Sequence, residues 1–176
     1  MNALNVVLVN PEIPQNTGNI ARTCAATGAI LHLIQPLGFR LDDKYMRRAG
    51  LDYWFLTDVR VHESWDAFLS EHPNARMHYL TTKAPRSYAE VRYGPGDFLV
   101  FGRETKGLDE DLLSAHYESC VRIPMRAEAR SLNLSNSVAI VLYEALRQRD
   151  FPGLAREGHL AGDPAGEPGG RTGGRG

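Results

Sequence analysis

The sequence predicts an α/β fold in which a mostly parallel sheet is flanked by helices. Short runs rich in Val, Ile, Leu and Phe recur without polar alternation, as strands buried on both faces do. Helical patterns fall between these runs, and most of the runs stop at asparagine, proline or glycine. A chain of 176 residues is long enough to bury one substantial core.

The elements follow in order. Asn5-Val6-Val7-Leu8-Val9 is a strand ending at Asn10-Pro11, and about residues 17–27 form a helix that Asn16 or Thr17 caps and Gly28 closes. Ile30-Leu31-His32-Leu33-Ile34 is a second strand. Met77-His78-Tyr79-Leu80-Thr81, Phe98-Leu99-Val100-Phe101 and Cys120-Val121-Arg122-Ile123 are three more. Helices are expected near residues 64–71, 108–115 and 134–149. In the last, Val138, Val141, Leu142, Ala145 and Leu146 recur at i, i+3, i+4, i+7 and i+8 as one apolar stripe. Ile140 and Tyr143 lie off that stripe, so a second face is apolar too, and homodimerisation is the expected use of it. The domain is expected to span residues 1–152. Residues 153–176 hold nine of the 17 glycines and almost no large apolar side chains, the composition of a disordered tail.

Composition narrows the function classes. An apolar share of 43% and a charged share of 23% are those of an ordinary globular protein. No apolar run approaches the ~20 residues of a membrane span. Met1-Asn2-Ala3-Leu4-Asn5 lacks the basic region of a signal peptide, so a cytoplasmic location is expected. Cys24 and Cys120 are far apart, without the spacing of a zinc site or a disulfide framework, and no metal is expected. A net charge of −1 does not advertise nucleic-acid binding, but local basic patches suffice for phosphates. One such patch is Lys44, Arg47 and Arg48, at i, i+3 and i+4 on one helical face; Arg22 and Arg126 or Arg130 would extend it.

Three corners carry the chemistry. Asn10-Pro11-Glu12-Ile13-Pro14-Gln15-Asn16-Thr17-Gly18 stiffens the exit from the first strand and opens a helix that bears Arg22. Phe101-Gly102-Arg103-Glu104-Thr105-Lys106-Gly107-Leu108 is a glycine-bounded turn that matches neither a P-loop nor a dinucleotide fingerprint. Arg122-Ile123-Pro124-Met125 leads to Arg130-Ser131-Leu132-Asn133-Leu134-Ser135-Asn136, where three good helix caps stand and only one is needed. Such strand-end corners hold ligands in open α/β sheets.

Taken together, Asn16 to Arg22, Phe101 to Leu108 and Arg122 to Asn136 resemble the SPOUT superfamily of RNA methyltransferases, in its ribose 2′-O branch. The resemblance runs over about residues 4–152. It implies a C-terminal trefoil knot, S-adenosylmethionine as cofactor, tRNA as partner and a homodimer as the working form. Glu12 to Asn19 and Arg47 to Tyr53 look most like the members that methylate the wobble nucleotide, cytidine or a modified uridine, of leucine tRNAs. Mapped onto this chain, the resemblance gives the cofactor Leu80, Thr81, Gly102, Gly107, Ile123, Met125, Ser131 and Leu132. It gives Arg22 the central role, with Asn16, Glu104, Ser131 and Asn133 orienting it, the ribose and the cofactor. The RNA-binding set expected here is Arg22, Lys44, Arg47, Arg48 and Arg130. Arg22 is described in the family as a general base, but a guanidinium of pKa above ~12 stays protonated. Stabilising a developing alkoxide or an adjacent phosphate is the easier task for it. The alternatives are ribose methylation at another tRNA or rRNA position, a non-catalytic RNA- or metabolite-binding α/β module, and a base methyltransferase of the same superfamily, which would not require Arg22.

Overall fold

The computed structural model describes residues 3–41 and 54–160. Within them six strands form one all-parallel sheet: β1 (Asn5–Val9), β2 (Ile30–Ile34), β3 (Val59–His62), β4 (Met77–Leu80), β5 (Phe98–Phe101) and β6 (Cys120–Val121). Their spatial order is β3-β2-β1-β5-β4-β6. Four helices accompany them: α1 (Pro14–Thr27), α2 (Trp65–Glu71), α3 (Glu110–Ala115) and α4 (Leu134–Arg147). Successive residues of β1 point to opposite faces and enter two different cores. Val6 and Leu8 join Ile20, Cys24, Leu33, Leu99, Val141 and Leu142 under α1 and α4. Val7 and Val9 join Phe68, Val100, Leu113 and Cys120 under α2 and α3. Both faces are thereby covered, which is why the strands read as continuous apolar runs.

The five stripe residues of α4 are all buried, and α4 packs beside α1 on the same face of the sheet. Burial of each Val or Leu there is worth roughly 1.5–3 kcal/mol. Ile140 and Tyr143 stay 36% and 45% exposed, off that stripe as expected. Asn10 turns the chain out of β1 at φ 51°, a left-handed conformation that asparagine tolerates.

The structure departs from the sequence-based expectation in several places. Strand β3 was not expected. It is an edge strand whose residues Arg60 and Val61 are exposed, so it lacks the apolar signature of its neighbours. Helix α1 begins at Pro14, with Ile13 in the N-cap position and no side-chain cap; neither Asn16 nor Thr17 caps it. Proline is preorganised for the first helical position, which moves the start three residues upstream. The remaining helices and strands end within about one turn of their expected limits. Three short 3-10 turns, Trp54–Leu56, Tyr88–Glu90 and Tyr117–Ser119, were not foreseen. Beyond Pro152, Leu154 still packs against the α1–α4 core, and 155–160 have no regular structure. The rest of the tail lies outside the described residues.

Candidate active site

The strand order reverses at β1, which has β2 on one side and β5 on the other. In open α/β sheets the crevice beyond the carboxyl ends at such a reversal is where ligands sit. The loops that leave β1 and β5 meet there and lock reciprocally. The Glu104 carboxylate accepts from the Glu12 amide at 2.8 Å, the Ile13 amide at 3.1 Å and Asn16 Nδ2 at 3.1 Å. In return, the Glu12 carboxylate accepts from the Thr105 amide at 3.1 Å and from Thr105 Oγ1 at 2.8 Å. Glu104 also places negative charge at the α1 N-terminus, where the helix dipole favours it.

The turn that presents Glu104 depends on its glycines. A Cβ on Gly102 would lie 2.0 Å from the Gly107 carbonyl carbon, so only glycine lets the loop fold back this tightly. Gly107 closes the turn with φ 72° and donates its amide to the Arg103 carbonyl at 2.8 Å.

The third corner joins through Asn133. Its Oδ1 accepts from the Ser135 amide at 2.9 Å and the Asn136 amide at 3.3 Å, capping α4. Its Nδ2 donates to Asn16 Oδ1 at 3.0 Å. Donors and acceptors therefore run in one direction, from the α4 amides through Asn133 and Asn16 to the Glu104 carboxylate. A relay of this kind polarises each bond it contains and fixes the orientation of both amides.

Arg22 is exposed on α1, six residues and about 9 Å of helix rise beyond Asn16. Ser131 is exposed two residues before Asn133. Leu80, Gly102 and Ile123 stand at the carboxyl ends of the adjacent strands β4, β5 and β6. Leu80 and Ile123 are half-buried against the α1–α4 core, and Gly102 is buried. Thr81, Gly107 and Met125 are half-buried, and Leu132 is exposed. Of the expected RNA-binding residues, Arg130 is exposed next to Ser131; Lys44, Arg47 and Arg48 lie outside the described residues.

Sequence reasoning missed the Glu12–Thr105 half of the lock. Its only signal was an acidic residue held between two prolines. Two cavities, of about 400 and 380 Å³, open at the amino-terminal edge of the sheet, away from these residues. The candidate site is defined by converging polar groups at the other edge, not by those hollows.

A family model described as the SpoU rRNA Methylase family matches residues 3–143, most of the chain and all three corners. The chain belongs to this family. A tRNA (cytidine(34)-2′-O)-methyltransferase of Burkholderia ambifaria is 56% identical over 152 residues, covering 85% of this chain and 97% of the relative. A crystal structure of a Bacillus anthracis protein shares 47% identity at a TM-score of 0.84, covering 88% of this chain and 99% of that one. A structure solved for insight into 2-OH methylation of C/U34 on tRNA shares 47% identity at a TM-score of 0.79, covering 85% and 97%. The fold expected from the sequence, a parallel sheet with helices on both faces, is therefore the family's fold.

Proposed function

We propose that this protein is an S-adenosylmethionine-dependent methyltransferase that modifies the ribose 2′-oxygen of wobble nucleotide 34, cytidine or a modified uridine, in leucine tRNAs. The observation that carries the proposal is the relay joining Asn133, Asn16 and Glu104, which draws all three motif-bearing corners to one point. A binding module needs no such polarised connection between loops. The family membership and the names of the relatives supply the reaction class and the position.

The residues present fit the cofactor. Among the described residues, 123–125 make no backbone–backbone hydrogen bond, so their peptide groups are available to a bound molecule. A Cβ at Gly107 would meet nothing within 4 Å, so this turn has open space on its outer side. Leu80, Thr81, Gly102, Gly107, Ile123, Met125, Ser131 and Leu132 would hold S-adenosylmethionine, largely through backbone groups. When bound, it supplies an electrophilic methyl group on a sulfonium.

The chain's own groups do the rest. Asn16, Ser131 and Asn133 position the ribose, and Glu104 holds Asn16 in place. Arg22 stabilises the negative charge that develops on the 2′-oxygen or resides on the adjoining phosphate. Arg130, with Lys44, Arg47 and Arg48, neutralises tRNA phosphates. The 2′-hydroxyl is also what distinguishes RNA from DNA at such a site.

The loop from Arg86 to Tyr93 supports the knotted topology. Arg122 donates to the Arg86 carbonyl and accepts from the Tyr88 amide, while Gln148 bonds Val91 and Tyr93. That loop grips the chain both before and after α4, as a threaded C-terminal segment requires. The exposed pair Ile140 and Tyr143, three residues apart on one face of α4, suits a homodimer. Among the described residues no helix is long and apolar enough to cross a membrane, and a cytoplasmic site of action accords with a tRNA substrate.

The test is Arg22→Ala in a single-turnover assay, with 2′-O-methylation mapped at nucleotide 34 and cofactor affinity measured by calorimetry. Loss of one charge-stabilising donor is expected to slow transfer about 10²–10³-fold, with cofactor affinity within a few-fold of wild type. Wild-type turnover by the variant, or methylation elsewhere in the RNA, overturns the proposal.

A further inference from the structure

Three histidines that the methylation site does not use meet beneath α2. One ring nitrogen from each of His32, His62 and His72 lies within 4.8 Å of the others. His32 and His62 are buried, and His72 is half-buried at the C-terminal cap of α2. Nothing in their sequence spacing announces this, since β2, β3 and α2 each contribute one.

Donors and acceptors in this cluster do not balance. Asn5 Nδ2 donates to the Gly96 carbonyl at 3.0 Å, which fixes the amide and turns Asn5 Oδ1 toward His32 Nε2, also at 3.0 Å. An amide oxygen only accepts, so His32 Nε2 carries the proton and its Nδ1 is a bare lone pair. That lone pair faces His62 Nε2 at 3.0 Å. If His62 Nε2 supplies the proton, then His62 Nδ1 is bare, and it lies 3.3 Å from Glu71 Oε2, an acceptor, without completing a hydrogen bond. His72 Nε2 is likewise buried without a hydrogen-bond partner among the described residues. Two buried ring nitrogens are thus unsatisfied in the neutral cluster.

We propose that His32, His62 and His72 bind a divalent transition ion of the zinc class. A cation resolves the mismatch. The His62 proton moves from Nε2 to Nδ1, 3.3 Å from the Glu71 carboxylate, whose exposed side chain has to turn to accept it, and the lone pairs of His32 Nδ1 and His62 Nε2 converge on the metal with the His72 imidazole. Metal-bound histidines characteristically donate their other ring N–H to a carboxylate or carbonyl oxygen, the roles available here to Glu71 and Asn5. At Zn–N distances of about 2.0–2.1 Å, tetrahedral ligand nitrogens sit roughly 3.3 Å apart, close to the 3.0 Å between His32 and His62. Imidazole ligands suit zinc, copper and nickel rather than magnesium or calcium. The cavity of about 380 Å³ lined by His72, Asp97 and Phe98 gives a path to the site from solvent.

The test uses the full chain, stripped with a chelator and titrated with Co²⁺ as a spectroscopic probe. Wild type is expected to bind one equivalent with the intense visible d–d bands of a four-coordinate site, displaced by Zn²⁺, and to gain thermal stability with Zn²⁺. His72→Gln should weaken Co²⁺ binding more than tenfold, and Glu71→Gln about tenfold, the usual effect of losing an outer-shell partner. His116→Gln, which lies outside the cluster, should leave binding unchanged. His72 is the least buried of the three, and circular dichroism verifies that its variant folds. Absence of d–d bands in wild type, or bands of equal affinity in folded His72→Gln, overturns the proposal.

Discussion

Glu104→Ala tests whether the β1 and β5 loops are one mechanical unit. The substitution removes the acceptor of three hydrogen bonds, from the Glu12 amide, the Ile13 amide and Asn16 Nδ2. Two of these are partly buried and one is exposed. At a net worth of about 1 kcal/mol for each partly buried bond and less for the exposed one, the loss is roughly 2–3 kcal/mol. For a body of about 150 residues that lowers Tm by roughly 5–10 °C. Glu104→Gln should cost about half as much. Its NH₂ would face a donor at one of the two oxygen positions, while the other oxygen keeps its bonds. The functional effect should exceed the stability effect, because freeing Asn16 Nδ2 also releases the amide that orients Asn133. Denaturant unfolding gives the stability change, and single-turnover methylation of tRNA below the new Tm gives the rate. An Ala variant with wild-type midpoint and wild-type rate would show that the lock does not couple these loops, and the relay reading would fall with it.

Gly102→Ala puts a Cβ 2.0 Å from the Gly107 carbonyl carbon, so the turn must open; a stability loss at or above the ~3 kcal/mol upper range of overpacking is expected in denaturant unfolding, and an unchanged midpoint would refute the close approach. Burial pushes the Cys24 thiol up to about 12, so at pH 8 it should resist iodoacetamide in the folded protein and react only on unfolding; rapid labelling of Cys24 in native protein would contradict the packing of α1. Burial lowers the pKa of His78 below its ordinary value, outweighing the pull of Asp97 in the other direction. The unfolded chain therefore takes up this proton first. Stability from this residue is full above pH ~6.5 and declines as pH falls below it. His78→Gln should flatten the slope of stability against pH in that window, and an unaltered slope would refute the assignment.

Where side chains answer to the local period of the chain, the fold was legible. The α4 stripe from Val138 to Leu146 is buried residue for residue, and five of the six strands stand where unbroken apolar runs place them. Strand β3 escaped because only His62 of its four residues is buried, with Arg60 and Val61 exposed. The start of α1 escaped because Pro14 outranks the hydrogen-bonding side chains that follow it. At the site, strand ends and surplus polar residues were enough to mark the three corners, and the family resemblance singled out Asn16, Glu104 and Asn133 within them, but neither said what each side chain touches. Asn16 looked like a cap, yet its amide bridges two other corners, 88 and 117 residues away. Contacts of that separation leave no periodic trace, and the same holds for Glu12 with Thr105 and for the three histidines.

The same distinction explains how the site is held. Glu104 and Asn133 sit on loops and Asn16 in the first turn of α1, but each is anchored by an element whose position the core dictates. Ile20 and Cys24 fix α1, Val138 and Val141 fix α4, and Val100 and Phe101 fix the end of β5. The relay then adjusts three rigid mounts to one another over short distances. Preorganisation therefore resides in the packing of α1 against α4 as much as in the hydrogen bonds. A cavity at Val141, about two turns along α4 from Asn133, should loosen the register of the two helices and slow methyl transfer without touching any group that meets substrate.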